Sequence, residues 1–234
     1  MASEETIYTD GRYLEHNPLW HEEDAGWKAR NIELMIRKHG LAPATIAEIG
    51  CGAGGVLLAL TNALGPAVRA TGFEVSPQAF ALAKPRETAN VEFRFGQSLD
   101  EMEERFDLVL VIDVLEHLED YFSFLRQVRP LGHHKIFHFP LDLSAQSALR
   151  SRPLMKWREE VGHLHYFIKE TALASLHETG YRVIDSFYTN TNLELGNRGW
   201  KADLMKWPRR MLLRLDPDLA ARLLGGFSLM VLAE

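Results

Sequence analysis

Cysteine is almost absent from this 234-residue chain: Cys51 stands alone, which excludes an internal disulfide and fits a reducing compartment. Long hydrophobic runs are missing too, and no apolar stretch approaches the roughly 18 residues that a membrane-spanning helix needs. Basic charge is in short supply. Against 32 Asp and Glu there are 26 Lys and Arg, a formal net charge of −6, so a broad nucleic-acid footprint is not expected. The first residues, Met-Ala-Ser-Glu-Glu, lack the basic-then-apolar order of a secretory leader. There is no internal repeat and no low-complexity segment. What is present is ordinary globular composition, 46% hydrophobic and 25% charged, in a length that suits one domain spanning 1–234 and buries a core without staples. The expectation is a cytoplasmic protein.

The chain is organised around Thr45-Ile-Ala-Glu-Ile-Gly-Cys-Gly-Ala-Gly-Gly55, an apolar run that breaks into glycines and resumes as the helical pattern Val56–Leu64. Strand, tight turn and helix start bring main-chain N–H groups to a ligand. Before it, Asp24 is a candidate cap for a helix over Ala25–His39, stopped by Gly40. After it, Arg69–Val75 reads as a second strand, and Ser76-Pro77 as the opening of a helix that Pro85 stops. Val91–Phe95 alternates as a third strand. Phe106–Ile112 (FDLVLVI) is continuous, as for a strand buried on both faces. Leu118–Val128 reads as helix, Lys135–Phe139 as a fifth strand, Glu170–Thr179 as a helix closed by Gly180, Tyr181–Tyr188 as a sixth strand and Phe227–Ala233 as the last. Such alternation argues for an α/β fold with a mostly parallel sheet covered on both faces, and ligands in such sheets bind beyond the carboxyl ends of the strands.

The glycines alone suit two ligands. Gly50, Gly52 and Gly55 satisfy G-x-G-x-x-G, while Gly50, Gly52 and Gly54 satisfy G-x-G-x-G. Glu48 discriminates between them. Two residues before the first glycine, its carboxylate would repel a pyrophosphate and attract a ligand carrying an ammonium and a sulfonium, and no Lys or Arg lies in the turn to offset it. Glu74, closing the second strand, suits two ribose hydroxyls, a task common to both ligands.

E-I-G-C-G-A-G, then F-E-V-S, then F-D-L-V-L-V-I-D-V-L-E-H-L, resembles the class I S-adenosylmethionine-dependent methyltransferases over about residues 25 to 190. The resemblance implies a doubly wound seven-stranded sheet of order 3-2-1-4-5-7-6 with strand 7 antiparallel. It implies S-adenosyl-L-methionine as cofactor. Glu48, Gly50, Cys51, Gly52 and Gly54 would cradle its methionine and ribose parts, Glu74 would take the ribose diol and Val75 would pack the adenine. Gln97, Ser98 and Leu99 hold the place where the family often contacts the adenine amine with an Asp. Asp113 and Val114 would close strand four beneath the reacting methyl.

For the acceptor side the candidates are His117, just beyond strand four, His163 and His165 in the segment His163-Leu-His-Tyr-Phe167, and Asp142 just past strand five. Histidine is the natural base at neutral pH. No carboxylate set resembles that of metal-dependent O-methyltransferases, so no metal is expected. Residues 1–28, with Tyr8, Tyr13, Trp20 and Trp27, resemble the family's variable lid. Residues 189–226 form an insertion before the last strand. Its stretch 200–215 is basic and amphipathic, suited to a packed cap, a dimer surface or peripheral membrane contact. The expected function is methyl transfer to a small-molecule, sugar or lipid-linked acceptor, at oxygen, by a monomer or homodimer. Competing expectations are an NAD(P)-dependent oxidoreductase and a non-catalytic S-adenosylmethionine-binding protein.

Overall fold

A computed structural model describes Asn17, Trp20, residues 22–190 and residues 211–234. Tyr8 and Tyr13 of the expected lid, and Lys201, Lys206, Arg209 and Arg210 of the basic stretch, lie outside the described residues.

Helix α1 (Glu22–Lys38) opens on Glu22, Glu23 and Asp24 and closes on Arg37 and Lys38, charges that complement the helix dipole at both ends. It starts three residues earlier than expected, so Asp24 lies in the first turn and is not its cap. Strand β1 (Thr45–Ile49) leads through the glycine turn into α2 (Gly55–Leu64). β2 (Arg69–Glu74) is followed by α3 (Pro77–Ala83), where the Ser76 hydroxyl accepts from Ala79 N–H and Pro77 fills the first turn. Then come β3 (Val91–Phe95), β4 (Phe106–Ile112), α4 (Tyr121–Val128) and β5 (Gly132–Leu141).

Two differences from the sequence reading bear on function. The helix expected from Leu118 begins at Tyr121, because the Asp120 carboxylate accepts from Ser123 N–H and starts the helix there. Leu115–His117 instead form a single 3-10 turn directly after β4. Secondly, the segment after β5 is not a plain loop. It contains α5 (Ala145–Arg150) and α6 (Arg152–Glu160), the first held by a Ser144/Ser147 capping box. α7 (Lys169–Glu178), β6 (Val183–Thr189), α8 (Pro217–Leu224) and β7 (Phe227–Ala233) complete the described chain.

The seven strands form one sheet of order β3-β2-β1-β4-β5-β7-β6, with β7 antiparallel to β5 and β6. Alternate residues of β4 serve two cores. Leu108, Leu110 and Ile112 pack beneath α1 and α2 with Ile32, Met35, Leu57 and Leu60. Val109 and Val111 pack on the other side with Leu125, Phe139, Leu176 and Ala220. Burial on both faces is why this strand reads as an unbroken apolar run. The carboxyl ends of β1, β2, β4 and β5 therefore meet at one edge of a rigid platform, and the candidate residues lie there.

Candidate active site

The glycine turn is shaped by left-handed backbone at Gly50 (φ 75°) and Gly54 (φ 82°). A side chain at Gly50 would come within 2.8 Å of Val114, and one at Gly54 would overlap the Phe93 ring. Close approach of strands, as much as of ligand, thus demands glycine. The start of α1 is tied to this turn. Arg86 forks onto both carboxylate oxygens of Glu22, at 2.6 and 2.8 Å, and donates to the Ala53 carbonyl at 2.8 Å. The Trp20 ring sits beside Gly52.

Two buried carboxylates face the turn. Glu48 is 2% exposed, and its Oε2 has no hydrogen-bond partner among the described residues. Burial pushes its carboxyl up to about 8, with Lys28 opposing and Glu74 adding to the rise. Glu74, 7% exposed, accepts from Val75 N–H (2.8 Å) and Ser76 N–H (2.7 Å) through Oε1 and from Gly52 N–H (2.7 Å) through Oε2. Burial raises its carboxyl, and these three N–H groups oppose the rise. An ionised carboxylate offers about four acceptor sites, so capacity for a hydroxyl remains. Val75 is exposed at the rim, and Gln97, Ser98 and Leu99 follow β3 at the same edge. Burial raises the Cys51 thiol well above its usual value, which makes it an inert turn residue.

Asp113 ends β4 with φ 54°, an uncommon conformation for a side-chain-bearing residue. Its Oδ2 pairs with Lys28 Nζ at 2.8 Å, and its Oδ1 lies 2.5 Å from His138 Nδ1. The opposite ring nitrogen, Nε2, meets the Thr189 hydroxyl at 2.8 Å. Burial alone would raise the Asp113 carboxyl, but His138 and Lys28 outweigh it and hold the group well below the usual range. Side chains from α1, β5 and β6 thus form one network with Asp113. Lys28 and His138 were not recognised as its partners from sequence, because each pairing joins residues far apart in the chain.

His117, His163 and Asp142, separate candidates in the sequence, lie together. His163 Nδ1 is 2.5 Å from Asp142 Oδ2, and the His117 and His163 rings meet edge to face at 4.9 Å. The segment carrying His163 is held by the Glu116 carbonyl, which accepts from Leu164 N–H (2.7 Å) and His165 N–H (3.1 Å). Trp157 of the unforeseen α6 stacks on His163. His165 is directed elsewhere: its Nε2 lies 2.8 Å from the Leu118 carbonyl, and its ring packs on Tyr121. Glu116 is 1% exposed, with no hydrogen-bond partner for either carboxylate oxygen among the described residues, and burial raises its carboxyl well above the usual range.

The orphaned Glu48 oxygen tests what this edge can hold. A pyrophosphate would bring negative charge beside two buried carboxylates, whereas an ammonium and a sulfonium would supply the missing positive charge. The residues fit S-adenosylmethionine.

The sheet order, with its last strand antiparallel, is that of the class I S-adenosylmethionine-dependent methyltransferase fold. Residues 47–132 match the family described as a methyltransferase domain. A ubiquinone biosynthesis O-methyltransferase from Methylobacterium sp. (strain 4-46) is 40% identical over 101 residues, 39% of this chain and 39% of that protein. The chain therefore spans about two fifths of the length of that curated relative. Among solved structures, magnesium protoporphyrin IX methyltransferase from Synechocystis PCC 6803, with S-adenosylhomocysteine bound, has a TM-score of 0.59 at 15% identity, covering 90% of this chain and 85% of the other. A sarcosine dimethylglycine methyltransferase assignment from Galdieria sulphuraria has a TM-score of 0.59 at 14% identity, covering 88% and 82%. At these identities the likeness speaks for the fold.

Proposed function

We propose that this chain transfers a methyl group from S-adenosylmethionine to an oxygen of a small-molecule, sugar or lipid-linked acceptor. The observation that carries this reading is the His163–Asp142 pair beside His117, at the ends of β4 and β5 on the same sheet edge as Glu48 and Glu74. The name of the O-methyltransferase relative supports oxygen as the accepting atom. When bound, the cofactor supplies a methyl already activated on sulfur, so the chain's own task is placement and proton removal.

Each residue then has a part. Glu48 attracts the ammonium, Glu74 accepts from the ribose hydroxyls, and Val75 with Gln97, Ser98 and Leu99 borders the adenine. Gly50, Cys51, Gly52 and Gly54 let the main chain approach. Val114 and the Lys28-tethered Asp113 form the floor. Asp142 accepts from His163 Nδ1–H and so directs Nε2 toward the acceptor, where the histidine pair assists loss of the hydroxyl proton as oxygen attacks the methyl carbon. Glu48 weighs against the dinucleotide reading.

The test is release of S-adenosylhomocysteine on incubation with phenolic, sugar and lipid-linked hydroxyl acceptors. His163→Asn and Asp142→Asn are expected to lower turnover by about 10²–10⁴-fold while S-adenosylhomocysteine affinity stays within about twofold. Full turnover in both variants would remove the histidine from the mechanism. Cofactor binding without turnover of any acceptor would favour a non-catalytic binding protein.

A further inference from the structure

We infer that Glu116, His117 and His163 form a binding site for a divalent transition-metal ion, held by one carboxylate and two imidazoles with positions open to an acceptor oxygen. One ligand atom from each of the three lies within 4.8 Å of the other two. His117 Nε2 is 3.6 Å from Glu116 Oε1. Ligands about 2.0–2.1 Å from a shared ion sit roughly 3–3.5 Å apart, so closing the widest pair requires about an ångström of side-chain movement.

Two independent features converge on this reading. First, Glu116 is a buried carboxylate whose oxygens both lack hydrogen bonds among the described residues, an arrangement that is costly without a counter-charge. The nearest lysine, Lys28, is committed to Asp113 at 2.8 Å. Secondly, His163 turns its Nδ1 to the Asp142 carboxylate at 2.5 Å, and His117 turns its Nδ1 to the Gly162 carbonyl at 3.3 Å. A carboxylate or carbonyl behind the distal nitrogen is the usual support of a metal-bound imidazole, because it fixes the tautomer and aims Nε2. Two imidazoles and one carboxylate suit Zn²⁺, Co²⁺, Fe²⁺ or Mn²⁺ better than Mg²⁺ or Ca²⁺.

The inference deepens the proposed function and rests on it for the acceptor alone. With an ion in place, His163 Nε2 would be a ligand and would give up the part of base assigned to it above, and help to the acceptor would come from polarisation of its oxygen on the ion, the hydroxyl proton passing to solvent. Asp142 and Gly162 keep their orienting parts.

Metal binding can be read without activity. After chelator treatment and dialysis, the full chain is titrated with Co²⁺ and followed by visible absorption, with calorimetry using Zn²⁺ alongside. One equivalent per chain is expected, weakened at least tenfold in Glu116→Gln and in His163→Asn. S-adenosylhomocysteine affinity, measured in parallel, is expected to hold. Should Glu116→Gln fail to fold, His163→Asn still decides. A second described cluster, His133, His134 and Glu234 at the surface, provides the control: His133→Ala/His134→Ala should leave the strong site intact. The inference is overturned if no stoichiometric binding occurs, or if the His133/His134 variant abolishes it while the Glu116 and His163 variants do not. Binding without acceptor turnover would uphold the site and reject the methyl-transfer reading. Turnover with no metal bound would do the reverse.

Discussion

At the scale of single residues, Glu48 matters most. Its carboxyl, ordinarily near 4.5, is pushed to about 8 by burial in the ligand-free chain. A folded value above the unfolded one means that the neutral form is favoured by folding. Glu48 therefore adds stability below about pH 4.5 and loses that contribution as pH climbs to about 8. A cationic ligand needs the ionised form. Affinity for S-adenosylmethionine is thus expected to rise with pH toward about 8, by up to about tenfold per unit, and to flatten in Glu48→Gln. Calorimetry across this range checks it, and a pH-independent wild type would contradict it. Glu74 differs, since three main-chain N–H groups already hold it. Glu74→Ala is expected to weaken S-adenosylhomocysteine binding by about 1.5–3 kcal/mol; unchanged affinity in a direct titration would mean that this carboxylate does not meet the ribose.

Among the elements, those with a local signature were legible in advance. Phe106–Ile112 and Phe227–Ala233 match the observed β4 and β7 at both ends, because continuous apolar runs bounded by polar residues or glycine leave little choice. The 3-10 turn at Leu115–His117 was hidden, since D-V-L-E-H-L carries helix-compatible residues and only the Asp120 cap delays the helix. α5 and α6 were hidden for another reason: both are short, and α6 buries none of its residues. Its consequence for the site, Trp157 stacked on His163, is a tertiary contact. The glycine turn gives the test at this scale. Gly54→Ala must adopt left-handed backbone, costing about 1–2 kcal/mol, and its methyl overlaps Phe93 between neighbouring strands. Denaturant unfolding should show at least that loss together with weakened S-adenosylhomocysteine binding. Unaltered stability would mean that the turn relaxes freely.

For the whole molecule, the sheet collects residues from distant parts of the chain at one edge, and this is where sequence reading reaches its limit. The residues proposed to hold the cofactor cluster in β1 and the ends of β2 and β4, each beside a recognisable turn, so they could be named one by one. The other contacts join residues over long separations: Lys28 with Asp113, Asp142 with His163, and Glu116 and His117 with His163. Glu116 reads in sequence as one more helix-start acid. Only its burial beside two imidazoles sets it apart. Among the described residues no helix is long and apolar enough to cross a membrane. Met211 and Leu215 are exposed before α8, whereas Leu212 and Leu213 pack on the core.

The central claim is that the edge built by Glu48, the glycine turn and Glu74 selects S-adenosylmethionine over a dinucleotide. Thermal unfolding with S-adenosylmethionine, S-adenosylhomocysteine, NAD and NADP tests it most directly, because a ligand that binds the folded state raises its stability, by about 2.7 kcal/mol at a hundredfold excess over Kd. The account predicts a concentration-dependent rise in Tm with the two adenosyl amino acids and none with the nicotinamides. Stabilisation by NAD or NADP alone would contradict it.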